Sequence, residues 1–337
     1  MKEFLQKKNI NLSPGTYFIK ALGAMAYGLF ASLLVGTILN TIGKEFGFSF
    51  LTDVVWPIAQ KATGPAIAVS IAYALKAPDL VLFASTLVGV GANELGGPVG
   101  VYIATIFGVE FGKLVSKETK LDIILTPVVT VLVGLGVSGL VGQPIQNFMN
   151  LVGSLIMVAT TKEPLIMGAL VSLIVGLALT LPISSAAICM MLGLSGLAGG
   201  AATVGCCCQM VGFAVISFRD NGIQGFFAQA LGTSMLQMPN IVKNPKIWLP
   251  ATLASIILGP LATMVFKMEN TPLGSGMGTS GLVGQIASFE AMGGFSSQVL
   301  ISILVLHIIL PGLVSFLIYS LMRKQGLIKD GDMKLNF

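Results

Sequence analysis

Charge is what this sequence has least of. Of its 337 residues, 19 are Lys or Arg, 14 are Asp or Glu, and one is histidine. A soluble domain carries roughly a quarter charged residues, so a chain bathed in water along its length is excluded. None of Asp, Glu, Lys or Arg occurs in Ala21–Gly43, Ile123–Thr161, Pro164–Phe218, Ile247–Phe266 or Ala291–Met322. The composition is 54% hydrophobic with a mean hydropathy of +0.90. A helix needs roughly 20 apolar residues to cross the hydrocarbon, so the longer runs hold more than one crossing each. Lipid satisfies no backbone group, which leaves helices or a closed barrel. The apolar runs are continuous rather than alternating, so they are helices. The expected fold is an all-α polytopic membrane protein with about eight to ten membrane segments, some broken or re-entrant. One membrane-embedded domain over residues 1–337 is expected, with no soluble domain.

Other scarcities remove whole classes of function. One histidine excludes a histidine-rich metal centre. The four cysteines (Cys189, Cys206, Cys207, Cys208) lie in apolar sequence without metal-ligand spacing, and are expected as small buried helix residues. Neither a nucleophile elbow nor a phosphate-binding glycine loop between strand and helix is present. No catalytic residue, metal or cofactor is therefore predicted, and any chemistry has to come from a partner. The net charge of +5 does not point to nucleic acid. Eleven of the nineteen cations fall in three places: Lys2, Lys7, Lys8 and Lys20; Lys113, Lys117 and Lys120; and Arg323, Lys324, Lys329 and Lys334. Positive loops stay on the cytoplasmic side, so both termini and the 113–120 loop are predicted inside, with an even number of crossings. The basic start leads into an apolar stretch too long for a signal peptide, which reads as a retained first helix.

Along the chain, a first helix is expected over about 17–43, then a short outside loop with Lys44, Glu45 and Asp53. A second segment starts at Trp56-Pro57 and ends near Lys76-Ala-Pro-Asp79. Residues 80–112 break at Asn93-Glu94 and Gly96-Gly97-Pro98, as either a re-entrant hairpin or two short helices meeting at depth. A helix over 121–142 is expected to stop at Gly142-Gln-Pro144. Residues 145–160 then lie along the interface or connect two halves. Further spans are read at 164–179, 247–266 and 297–322, with interruptions at Pro182–Ser185 and Ser195–Gly200.

Polar and glycine-rich breaks at membrane depth carry the functional signal. Residues 271–285, "TPLGSGMGTSGLVGQ", hold five glycines, a proline, two threonines and two serines. Freed backbone groups persist at that depth only where protein buries them or where they line a watery cavity. Scattered glycines such as Gly134, Gly136 and Gly139 are read as packing residues. The 271–285 stretch is read as a cavity-lining hairpin. The candidate substrate-binding residues are Ser275, Gly276, Gly278, Thr279 and Ser280 in the hairpin, and Ser184 and Ser185 in the 181–185 break. Asn93, Glu94 and Glu290 are added as polar groups at depth. His307, inside the last span, either lines the path or hydrogen-bonds a neighbouring helix. Glu110, beside the basic loop, is read as interfacial.

Three stretches carry a resemblance to a known family. "GANELGGPVGVYIATIFGVEFGKLV" couples a glycine/proline break to a glycine-spaced helix and a basic loop. "LDIILTPVVTVLVGLGVSGLVGQPIQNFMNLVGSLI" is a proline-bearing helix, a glycine-proline corner and an amphipathic continuation. "LTLPISSAAICMMLG" stands where fructose-type sequences carry a proline-asparagine motif. Over about 80–200 the chain resembles a membrane subunit of the bacterial phosphotransferase system, an enzyme IIC, of the stand-alone group that includes the perfringolysin-regulator type. The late glutamate motif of fructose-type subunits has no counterpart here. The resemblance implies a homodimer in the bacterial cytoplasmic membrane. It also implies separate IIA and IIB partners, since neither is fused to this chain, and at most the membrane part of a sugar phosphotransferase. Two readings follow: a permease for a small polar solute, a carbohydrate, or a membrane sensor that binds its ligand without moving it.

Overall fold

A computed structural model describes Lys2–Leu335. Met1, Asn336 and Phe337 lie outside the described residues, as do the side chains of Lys2, Glu3, Phe30, Leu34, Thr41, Glu45, Ala187 and Met191. The described chain is helical, with one isolated backbone bridge between Gly196 and Asn270. The principal helical runs are α1 (Gly15–Lys44), α2 (Trp56–Ala74), α3 (Asp79–Val115) and α4 (Asp122–Thr160). They continue with α5 (Pro164–Thr180), α6 (Ser185–Met191), α7 (Gly196–Ile216) and α8 (Phe218–Phe227). The last three are α9 (Pro245–Val265), α10 (Val283–Ala291) and α11 (Ser297–Lys324). Six of these, α1, α3, α4, α7, α9 and α11, are long and apolar enough to cross a membrane, and α5 is a shorter apolar helix. At 1.5 Å per residue α4, 39 residues long, runs for about 58 Å, well beyond a hydrocarbon core of roughly 30 Å, whereas α3 is two shorter helices joined at Gly97. The charge-free run 123–161, long enough for more than one crossing, is thus one continuous helix.

The chain divides into two compact units, Met1–Phe148 and Met149–Phe337, and the division falls inside α4. In the first unit, α2 and α3 cross where Gly64 and Gly89 meet. A Cβ on Gly64 would stand 2.2 Å from the Gly89 carbonyl oxygen. The expected break in α3 is real and sits at Gly97 (φ 57°, ψ −155°), followed by Pro98. That conformation is open to glycine and strained for any residue with a Cβ. Gly97→Ala is expected to cost about 1–3 kcal/mol of stability. Gly136→Ala, in a helical position with nothing within 4 Å, should be neutral or slightly stabilising. Thermal unfolding of the two variants in detergent separates them.

Three expectations are corrected here. Gly142 and Pro144 do not end a helix: α4 runs through both to Thr160. A proline inside a spanning helix is tolerated when neighbouring groups satisfy the freed carbonyl. Among the scattered glycines, Gly134 does pack, against Val88, but Gly136 and Gly139 face open space. Lys113 is no loop cation. It lies within α3, is 1% exposed, and its Nζ donates to Asn9 O and Leu75 O at 3.0 Å each. Its Nζ also pairs with Glu110 at 2.9 Å, and Glu110 in turn accepts from the Tyr17 hydroxyl. Lys8, which pairs with Glu118 and donates to Ser116 O, ties the same N-terminal segment down.

In the second unit, α7 is the axis. Seventeen of its 21 residues are buried, and α5, α9 and α11 pack around it. Small residues set the spacing: a Cβ on Gly205 would lie 2.0 Å from Ser172 O, and one on Gly200 would lie 1.9 Å from Met268 O. The four cysteines are buried free thiols in this packing. The basic tail is held rather than loose. Asp220 accepts from Gly331 N and Met333 N, while Asn221 accepts from Leu335 N and donates to Met333 O. Gln237 and Asn240 donate to Met333 O and Lys334 O.

Candidate functional site

The glycine-rich stretch leaves α9 through a turn with Lys267 at φ 46°. Asn270 then pairs with the start of α7: Gly196 N donates to Asn270 O (3.0 Å) and Asn270 N to Gly196 O (3.3 Å). The Asn270 side chain locks both arms of the hairpin. Its Nδ2 donates to Thr203 Oγ1, Gly284 O and Ser288 Oγ, and its Oδ1 accepts from Thr271 N. Thr271 caps the single turn Pro272–Ser275. The chain then reverses through Gly278 (φ 55°), Gly281 (φ 53°) and Leu282 (φ 59°) before α10. Leucine in the left-handed region is strained, and such strain persists only where the surroundings over-determine it.

Packing in the hairpin is tight. A Cβ on Gly276 would lie 2.6 Å from the Ser185 backbone, and one on Gly278 2.7 Å from Cys206 Cβ. Three of the hydroxyls are used on protein carbonyls. Ser275 Oγ donates to Leu194 O and Thr271 O (2.7 Å each), Ser185 Oγ donates to Gly276 O (2.8 Å), and Thr279 Oγ1 donates to Ala230 O. The structure thus brings Ser185, Ser275, Gly276, Gly278, Thr279 and Ser280 together in the second unit, with Ser184 half-buried beside Ser185. Glu290 is exposed in the last turn of α10. In the first unit, Glu94 is exposed and Asn93 is half-buried, with its Cβ 2.7 Å from where a Cβ on Gly64 would stand.

Open hydrogen-bonding capacity lies one layer deeper. Gln285 Nε2 contacts His307 Nδ1 at 3.1 Å and donates to Cys207 Sγ at 3.6 Å. His307 is fully buried in a π-helical turn of α11, Leu304–Ile309. With the amide donating into Nδ1, the neutral ring carries its proton on Nε2. That Nε2 and Gln285 Oε1 are both buried with no partner among the described residues. π-turns of this kind are common at functional positions. The sequence reading singles out His307 but not its partner Gln285, nor Asn270. The available signal was a polar side chain in an apolar context, and what each one meets depends on contacts 22 and 67 residues away.

No curated protein and no solved structure matches this chain. A protein-family model described as "Phosphotransferase system, EIIC" matches residues 19–335. The match reaches well past the 80–200 stretch that carries the sequence resemblance and takes in the hairpin, Gln285 and His307. An all-helical chain of spanning length, with glycine breaks in both units, thus belongs to the EIIC family of the phosphotransferase system.

Proposed function

We propose that this EIIC protein carries a carbohydrate across the bacterial cytoplasmic membrane with both termini inside, and that Gln285 and His307 take up part of the solute. The observation that carries this reading is two neighbouring buried atoms without a partner among the described residues, Gln285 Oε1 and His307 Nε2. An unmet buried polar group costs about 1–3 kcal/mol. A sugar hydroxyl donates and accepts at once, so one hydroxyl can serve an amide oxygen and a ring N–H together. The remaining proposed substrate-binding residues are Ser184, Ser185, Ser275, Gly276, Gly278, Thr279, Ser280 and Glu290, with Asn93 and Glu94 in the first unit. The units together form one IIC domain, two copies of which make a homodimer. Separate IIB and IIA proteins dock through exposed cations, Lys117 and Lys120 at one loop and Lys329 and Lys334 in the tail, but not through buried Lys113.

Uptake of labelled D-glucose, D-fructose and D-mannitol into proteoliposomes tests the reading. At least one should enter faster than into empty vesicles. Gln285→Leu or His307→Leu should lower that rate about tenfold, the worth of one well-formed hydrogen bond. Glu94→Gln should also reduce it. Calorimetric binding without flux would assign the chain to the sensor reading instead. Neither flux nor binding for any of the three would remove support for both.

A further inference from the structure

Phe316, Tyr319, Ser320, Arg323 and Lys324 are three, four, seven and eight residues apart at the end of α11, so they share one helix face. With Arg219 from the first turn of α8 they line a cavity of about 360 Å³. Its charge is unbalanced. Arg323 pairs with Asp330 (2.6 Å), whereas Arg219 and Lys324 have no ion-pair partner among the described residues. The nearest carboxylate in sequence, Asp220, is already committed to Gly331 N and Met333 N. Two of the three cations therefore stand uncompensated around a partly enclosed space, where a field of one sign is focused and draws a counter-charge.

The walls say which anion. Phe316 and Tyr319 form an aromatic side, their ring centroids 6.4 Å apart. Next to them on α11, Leu313, Leu317 and Leu321 are exposed at intervals of four residues, a stripe suited to hydrocarbon. We propose that this cavity binds a phosphate ester, the phosphodiester headgroup of an anionic phospholipid, with an acyl chain along the leucine stripe. Arg219 and Lys324 neutralise the phosphate, and Ser320 supplies a hydroxyl donor. Basic clusters at the ends of spanning helices recognise anionic lipid by this chemistry. The proposal uses none of the hairpin residues and does not depend on the transport reading.

Native mass spectrometry of the full chain in dodecyl maltoside tests it, with phosphatidylglycerol and phosphatidylcholine added in parallel. The wild type should retain phosphatidylglycerol selectively, and Arg219→Gln and Lys324→Gln should each weaken retention about fivefold. Lys162→Gln, an exposed cation elsewhere in the same unit, should change nothing. Gel filtration checks that each variant is folded, and Lys324 is exposed with no ion-pair partner among the described residues, so its loss should leave packing intact. Competition with inorganic phosphate and glucose 6-phosphate separates the sources. If these bind in an Arg219-dependent way and phosphatidylglycerol does not, the cavity takes soluble phosphate esters and the lipid assignment is overturned. If neither lipid nor free phosphate responds to the two variants, the phosphate site itself is overturned.

Discussion

Lys113→Met is expected to destabilise the first unit by about 3–5 kcal/mol, the usual result of removing one partner of a buried ion pair. The ammonium is 1% exposed and serves three acceptors: Asn9 O, Leu75 O and Glu110. Methionine fills a similar volume but leaves Glu110 as a buried charge and two carbonyls without their donor. The cost therefore comes from the orphaned groups and not from lost packing. Lys113→Met combined with Glu110→Gln should recover part of the loss, because the stranded charge goes while the carbonyls stay unmet. The chain has two tryptophans, Trp56 in the first unit and Trp248 in the second. A Trp248→Phe background thus lets fluorescence report unfolding of the first unit alone. An unchanged transition in Lys113→Met would refute the account of the anchor.

Asn270→Leu should be of comparable size in the second unit, on the order of 3 kcal/mol or more, since several buried groups lose their partner together at roughly 1–3 kcal/mol each. Its amide joins the start of the hairpin to Thr203 of α7 and to Gly284 and Ser288 on the returning arm. Ser288→Ala removes one acceptor from that set and should cost less than about 1.5 kcal/mol. The background here is Trp56→Phe, with Trp248 as reporter. The hairpin carries the proposed solute-binding residues, so Asn270→Leu should also depress uptake wherever enough folded protein remains to measure it. Equal effects from Asn270→Leu and Ser288→Ala would mean that the side chain is not the hub its hydrogen bonds describe.

Much of the architecture was readable from the order of residues. The first helix, expected over 17–43, is α1 (Gly15–Lys44), and the second begins at Trp56 as expected. The break at Asn93–Pro98 is found at Gly97, where a glycine followed by proline permits a backbone angle that other residues resist. The Gly142–Pro144 signal failed for a related reason. Proline removes one intrahelical donor, but whether the helix stops depends on what satisfies the freed carbonyl, and α4 passes straight through. Lys113, Lys117 and Lys120 look alike in sequence. Only the first meets Asn9, Leu75 and Glu110, and so only the first is buried.

The sequence by itself determined that this chain lives in a membrane, where its helices run, and which stretches interrupt them. Those properties follow from transfer of each residue between water and lipid, which is local and nearly additive along the chain. Tertiary structure alone decided what the interruptions touch. Ser275 and Thr279 of the hairpin turn out to bond protein carbonyls, the hairpin's glycines admit close backbone approach, and two of the unmet polar atoms among the described residues belong to the adjoining Gln285 and His307. Hydrogen-bond satisfaction is a property of pairs, and these partners are set by how helices distant in sequence pack together.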